Sequence, residues 1–194
     1  MKRENEKSIG RIFIASSVMF VLFLVTAGLW VPGVSQAKSA KEIDIKVDVA
    51  LEKFEKDIKG GKEFLASAKG VLVFPSVIKA GFGIGGEYGE GAMRINGKTV
   101  DYYSTAAASI GFQLGAQAKT VILVFMQDKA LKNFRDSSGW EAGVDGSVAL
   151  VELGAGGSID TTNIKDPIVG FVFSNKGLMY NLTLEGSKFT KLVR

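Results

Sequence analysis

Cysteine and histidine are both absent from this chain of 194 residues, and proline occurs only three times. Without Cys there is no disulfide, no thiolate nucleophile and no Fe–S cluster, and without either residue the common zinc sites lose their ligands. Without His, the Ser-His-Asp and Cys-His types of nucleophilic catalysis lose their general base. What remains for chemistry is Asp, Glu, Lys, Tyr and Ser; the chain is expected to use no metal and no cofactor, and not to be an enzyme. Lack of Cys fits any redox compartment. Scarce Pro argues against a linker-rich or collagen-like chain.

Glycine, by contrast, occurs 24 times, and hydrophobic residues make up 46% against 23% charged. That balance and length suit one folded domain with a real core. The charge is unevenly placed. Residues 1–37 hold four of the 24 basic and two of the 20 acidic residues, so the remainder has a net charge of +2. Such a small surplus does not point to nucleic acid.

The first forty residues read as a targeting segment. Lys2, Arg3, Lys7 and Arg11 precede an apolar run from Ile12 to Trp30, then Pro32-Gly33, then Ser35-Gln36-Ala37. Basic start, apolar middle and small residues at −3 and −1 predict a secretory signal cleaved after Ala37. The alternative is an uncleaved anchor, since the run is about the minimum length to span a bilayer. Either way the chain is expected to be exported to the periplasm or cell envelope, with residues 38–194 as the working domain.

Residues 40–59 place Ile43, Val47, Leu51, Phe54 and Ile58 at helical spacing, and Gly60-Gly61 then stops the helix. A strand competes, because Ile43, Ile45, Val47, Val49 and Leu51 also alternate strictly. A second short helix is expected over about 62–68. From Gly70 the texture is β: Val71–Phe74, Gly81–Tyr88, Ala92–Ile95, Val100–Tyr103, Ser109–Ala116, Thr120–Phe125, Gly143–Glu152, Ile168–Ser174 and Leu178–Leu184. Asn96-Gly97 predicts a hairpin turn, and about 128–135 a helix in which Ala130, Leu131 and Phe134 share a face. The expected fold is α+β: a curved or barrel-like antiparallel sheet with an N-terminal helix and one short interrupting helix.

Several strings invite a chemical reading. Gly81-Phe82-Gly83-Ile84-Gly85-Gly86 fits G-x-G-x-x-G, but Glu87-Tyr88-Gly89-Glu90-Gly91 cannot open the helix that dinucleotide binding needs. Glu87 and Glu90 could suggest a carboxylate pair. Their bland reading is solvated loop residues, as Asp145's is a turn. Glycines alternating along the strands either let the sheet bend or let a ligand or partner approach closely. Lys41, Lys46, Lys53, Lys56, Lys59, Lys62, Lys69 and Lys79 are either a solvated face or the contact with anionic headgroups, each worth about 1 kcal/mol at an acidic membrane. In the second case the Ile/Val/Phe side of the helix would insert or pack.

Read in order, Ala68-Lys69-Gly70-Val71-Leu72-Val73-Phe74-Pro75, Lys79–Gly91, Ser109-Ile110-Gly111-Phe112-Gln113-Leu114-Gly115-Ala116-Gln117, Val124-Phe125-Met126, Gly143–Ala149, Gly177-Leu178 and Leu184-Glu185-Gly186 resemble the SYLF-domain family. The likeness runs from about Ile43 to Phe189. Two departures stand out: Tyr102-Tyr103-Ser104-Thr105, where the family often has Trp-Ser and a Pro, and a divergent stretch over 150–165. The resemblance makes Gly70, Pro75, Gly81, Gly83, Gly85, Gly86, Tyr88, Gly89, Gly91, Gly111 and Gly115 structural motif residues and supplies no catalytic ones. It implies lipid binding. Eukaryotic relatives bind phosphoinositides and some bind actin. For an exported bacterial-type relative this leaves anionic phospholipid or a membrane surface as the expected partner. The rival is an envelope assembly protein that takes a protein partner, of unknown identity, on the glycine-lined face.

Overall fold

A computed structural model describes residues 39–151, 165–174, 177–178 and 184–194, all within one compact unit, Lys38–Arg194. The expected signal segment, most of the divergent stretch and part of the strand expected over Leu178–Leu184 lie outside the described residues.

Helix α1 spans Ala40–Asp57. Ser39 caps it by accepting a hydrogen bond from the Glu42 amide at 3.2 Å. The competition between helix and strand is settled by which side chains are covered. Ile43 and Val47 are fully buried, while Ile45 and Val49, which a strand would place beside them, are 56% and 61% exposed. Gly60, in the left-handed region, turns the chain into α2, Gly61–Ser67.

The β region is more continuous than the spacing suggests. β1 runs from Gly70 to Ile95 and β2 from Lys98 to Phe125, paired antiparallel across Asn96-Gly97. Both turn residues have positive φ, as a two-residue hairpin with the native twist requires. The breaks expected after Phe74, Tyr88, Tyr103 and Ala116 are absent: the ribbon is unbroken, with register shifts at Phe74/Val77, Gly81/Gly83 and Met93/Arg94, of which only the first falls at an expected break. After α3, Asp128–Asp136, come β3 Trp140–Glu141, β4 Ala149–Leu150, β5 Ile168–Ser174, β6 Gly177–Leu178 and β7 Lys188–Leu192. One edge of β2 carries β7 along residues 102–106 and β5 along 120–125. The other edge carries β1. The pairing is antiparallel throughout except for β4 beside β5. The strand expected over Gly143–Glu152 is reduced to β4. Gly143–Gly146 instead makes a tight turn in which the Asp145 carboxylate accepts from the Glu141 amide at 2.7 Å.

The ribbon doubles back on itself near residues 82–84, and the glycines explain how. A Cβ added at Gly85 or Gly91 would lie closer than 3 Å to backbone of the first half of β1, at Ala80-Gly81 and Val73 respectively, and one at Gly89 would lie 3.0 Å from the Ser76 and Val77 backbone and 2.8 Å from the Val77 side chain. The two legs of β1 thus touch backbone to side-chain-free backbone. Farther from the bend the legs separate, and the wedge between them is filled by Leu72, Phe74, Met93, Tyr103, Leu123 and Phe125, closed by Leu131 and Phe134 of α3 and by Trp140 and Phe189. The opposite face, carrying Val71, Val73, Ala92, Ile122, Val124, Val169, Phe171 and Phe173, is covered by Ile43, Val47, Phe54 and Ile58 of α1 and by Phe64 of α2. Both faces are buried, so Val71–Phe74 and Val121–Phe125 read as unbroken apolar runs rather than alternating ones. The result is the expected α+β fold with a curled sheet.

Candidate functional site

The expected site lysines sit where the helices meet solvent. Lys41, Lys46, Lys53, Lys56, Lys59, Lys62 and Lys69 are exposed. Lys46 pairs with Glu42 at 2.6 Å, Lys53 with Asp57, and Lys69 with Asp128 at 3.6 Å. Among the described residues, Lys41, Lys56, Lys59 and Lys62 have no ion-pair partner. Lys56, Lys59 and Lys62 fall within one turn on either side of the α1–α2 elbow. Lys79 lies apart, on β1, 3.8 Å from Glu87. Insertion of the Ile/Val/Phe side of α1 into lipid is ruled out in this conformation, because that side is the core packed on the sheet.

Asp44 and Asp48 tie α1 to the hairpin of β1 and β2. Arg94 on β1 donates to Asp48 at 2.7 Å and to the Asp44 carbonyl at 3.3 Å. Asp44 also accepts from Thr99 at 2.7 Å and from Tyr102 at 2.8 Å. Burial, followed by this bond to Asp44, raises the Tyr102 pKa. The network joins residues about fifty positions apart, so no local signal foretold it. Beside it, α1, α2 and the Asn96-Gly97 turn enclose an open groove of about 390 Å³. Its floor is Leu51, Leu65, Ala68 and Val71, and Lys62 and Arg94 stand at its sides with Asp48 and Glu55. The groove is the size of a small-molecule site.

The carboxylates expected to be solvated loop residues are neither loop nor solvated. Glu87 and Glu90 lie within β1 and are largely covered. Glu87 pairs with Lys119 at 2.5 Å, and Glu90 with Arg194 at 2.7 Å while accepting from Tyr88 at 3.0 Å. Burial, then the Glu90 bond, raises the Tyr88 pKa. Each carboxylate thus has a cationic partner holding it in place. The G-x-G-x-x-G string is strand on both sides, with no helix for a phosphate to meet. Among the described residues no cluster of three or more Asp, Glu, His or Cys could hold a metal, and no helix is long and apolar enough to cross a membrane.

Of the motif residues, Gly70 lets Leu131 pack within 2.9 Å of where a Cβ would be, and the Pro75 carbonyl accepts from Thr120 at the first bulge. Gly81 pairs with Gly115 and Gly83 with Gly111 across the ribbon. With Gly85, Gly89 and Gly91 already against the chain's own backbone, that inward face has no room for a partner.

Tyr103, within one of the two departures, fills the wedge against Phe134 with its hydroxyl buried and making no well-formed hydrogen bond among the described residues, the nearby Arg135 guanidinium only lowering its pKa against larger upward causes. Burial chiefly, then the Asp101 charge, pushes its pKa up to about 12. An acid harder to ionise folded than unfolded gives stability that is whole below about pH 10 and falls as pH rises toward 12. Tyr103→Phe is expected to leave the fold at least as stable at neutral pH, since it deletes a hydroxyl that makes no well-formed hydrogen bond. It is also expected to flatten the loss between pH 10 and 12. Thermal melts across that range check both, and a variant melting several degrees lower at pH 7 would mean the hydroxyl has a partner.

Residues 106–192, from the middle of β2 through β7, match the family model described as "Ysc84: Las17-binding protein actin regulator". The match covers a little under half of the chain. No curated protein matches the chain. The ordered motifs from Gly70 onward, the doubled glycine ribbon they build and this match agree, and residues 106–192 are similar to the Ysc84 (SYLF) family, consistent with a SYLF-domain protein.

Proposed function

We propose that this domain binds anionic phospholipid at a membrane surface without catalysis, and that it does so in the cell envelope after export. The observation that carries the reading is the elbow of α1 and α2. Lys56, Lys59 and Lys62 are exposed there and have no ion partner among the described residues, and Lys62 lines a groove with an apolar floor. Anionic headgroups fit such a surface. The filled wedge between the legs of β1 supports surface contact, since aromatic rings occupy the space an acyl chain would need. Export rests on the basic, apolar, Ser-Gln-Ala order of residues 1–37. The family description names a protein partner and actin regulation. That favours a second reading, in which the same exposed helices dock a protein.

Both cores are built from residues of Lys38–Arg194, so that fragment is the form to test, freed of the apolar N-terminal run. Replacing Lys53, Lys56, Lys59 and Lys62 together by Gln is expected to weaken binding to phosphatidylglycerol vesicles at low salt by roughly ten-fold or more. The gap should close at high salt, with circular dichroism and melting unchanged. Equal binding by the two proteins at low salt would move the headgroup contact elsewhere.

A further inference from the structure

The doubled ribbon has a charge-free end. Residues 80–86 on β1 and 102–118 on β2 contain no charged residue. The register pairs Gly81 with Gly115, Gly83 with Gly111 and Ile84 with Ile110 at the fold-back, where β2 carries three residues, 112–114, opposite one on β1, and the sequence of this stretch holds Phe82, Ile84, Ile110, Phe112 and Leu114. Nothing among the described residues pairs with the outer edge of β2 between 107 and 119. The residues leading into this end, Ala80, Gly81, Gly86, Ala108, Gln117 and Ala118, are exposed.

The charges resume together, as a collar. Glu87 on one leg bridges to Lys79 at 3.8 Å and Lys119 at 2.5 Å on the other, leaving one net positive charge. At the same level Ile78 and Tyr88 are half exposed. An apolar end, then a tyrosine, then lysines is the order in which a bilayer changes from acyl chain to interface to anionic headgroup.

We infer that the fold-back end of the β1–β2 ribbon, residues 80–86 and 107–118, is a membrane-inserting tip that enters a bilayer containing anionic lipid, with Lys79 and Lys119 at headgroup level. This rests on the lipid-binding reading above and names a second contact for it, distinct from the α1–α2 elbow. Gly85 lets the two legs meet at Ala80-Gly81 without a side chain between them.

Because the chain has no cysteine, one introduced thiol can be labelled uniquely. Lys38–Arg194 carrying Phe112→Cys or, separately, Val49→Cys on the exposed side of α1 would be labelled with an environment-sensitive fluorophore. Each would be mixed with phosphatidylcholine vesicles containing phosphatidylglycerol, with co-sedimentation measured in parallel. The expected result is a blue shift and intensity rise at position 112, quenched by lipids brominated in the acyl chain, and little change at 49. Phe112→Asp with Leu114→Asp should weaken vesicle binding by roughly ten-fold or more with an unaltered melt. If the parent sediments with vesicles but position 112 stays silent while 49 responds, the tip is wrong and the lipid reading stands. If the parent does not sediment at all, both fall. If position 112 responds to protein concentration without vesicles, the open edge of β2 pairs with a second copy, and the tip is again overturned.

Discussion

Gly91→Ala is expected to cost more than about 3 kcal/mol, at or beyond the upper end of ordinary overpacking. The added methyl would collide with the Val73 carbonyl oxygen and the Phe74 ring. A flexible side chain could swing aside, but Val73 is paired to Ile122 in the middle of the ribbon. Relief would require the legs of β1 to part. Gly86→Ala is the matched control, because its methyl would meet nothing closer than the Ala107 oxygen at 3.7 Å. It should stay within about 0.5 kcal/mol of the parent. Denaturant unfolding of the two variants checks the pair. Similar stabilities would mean that the ribbon is not doubled as described.

Phe134→Ala is expected to cost about 3–5 kcal/mol, as for other large aromatic truncations in a core. Phe134 is, with Leu131, the reach of α3 into the wedge, and the larger of the two. Its ring lies 5.2 Å from Tyr103, 5.0 Å from Phe125, 5.3 Å from Trp140 and 5.9 Å from Phe189. Removing it leaves four rings facing a hole that none can fill without leaving its strand. The melting temperature should fall by roughly 10 °C in a domain of this size. Near-ultraviolet circular dichroism from Trp140 should weaken. A drop of only a degree or two would mean that α3 is peripheral.

What the sequence disclosed follows from how local each signal is. α1 was legible because its buried positions repeat every three or four residues, and Asn96-Gly97 because a two-residue turn needs positive φ in both residues. The length of β1 and β2 was hidden because glycine reads as a break. At Gly85, Gly89 and Gly91 it instead marks where the strand meets itself, a contact between residues five to eighteen apart that no short window contains. β7 had an alternation of its own, with Phe189 buried between exposed Lys188 and Thr190, but its partners Trp140 and residues 102–106 are remote in the chain. The lysines of α1 were visible by composition. Which of them are neutralised was not, since Lys53 and Lys56 each have a carboxylate four positions away, Asp57 and Glu52, and only Lys53 is paired with its own. Glu87 and Glu90 were misread because their partners Lys119 and Arg194 are 32 and 104 positions away.

The most direct test of the central claim is co-sedimentation of Lys38–Arg194 with vesicles of phosphatidylcholine alone and of phosphatidylcholine with phosphatidylglycerol, each at low and high salt. The account predicts strong binding to the anionic vesicles at low salt, reduced at high salt, and much weaker binding to the neutral ones. Absence of binding to both, or equal binding to both at every salt concentration, would contradict it.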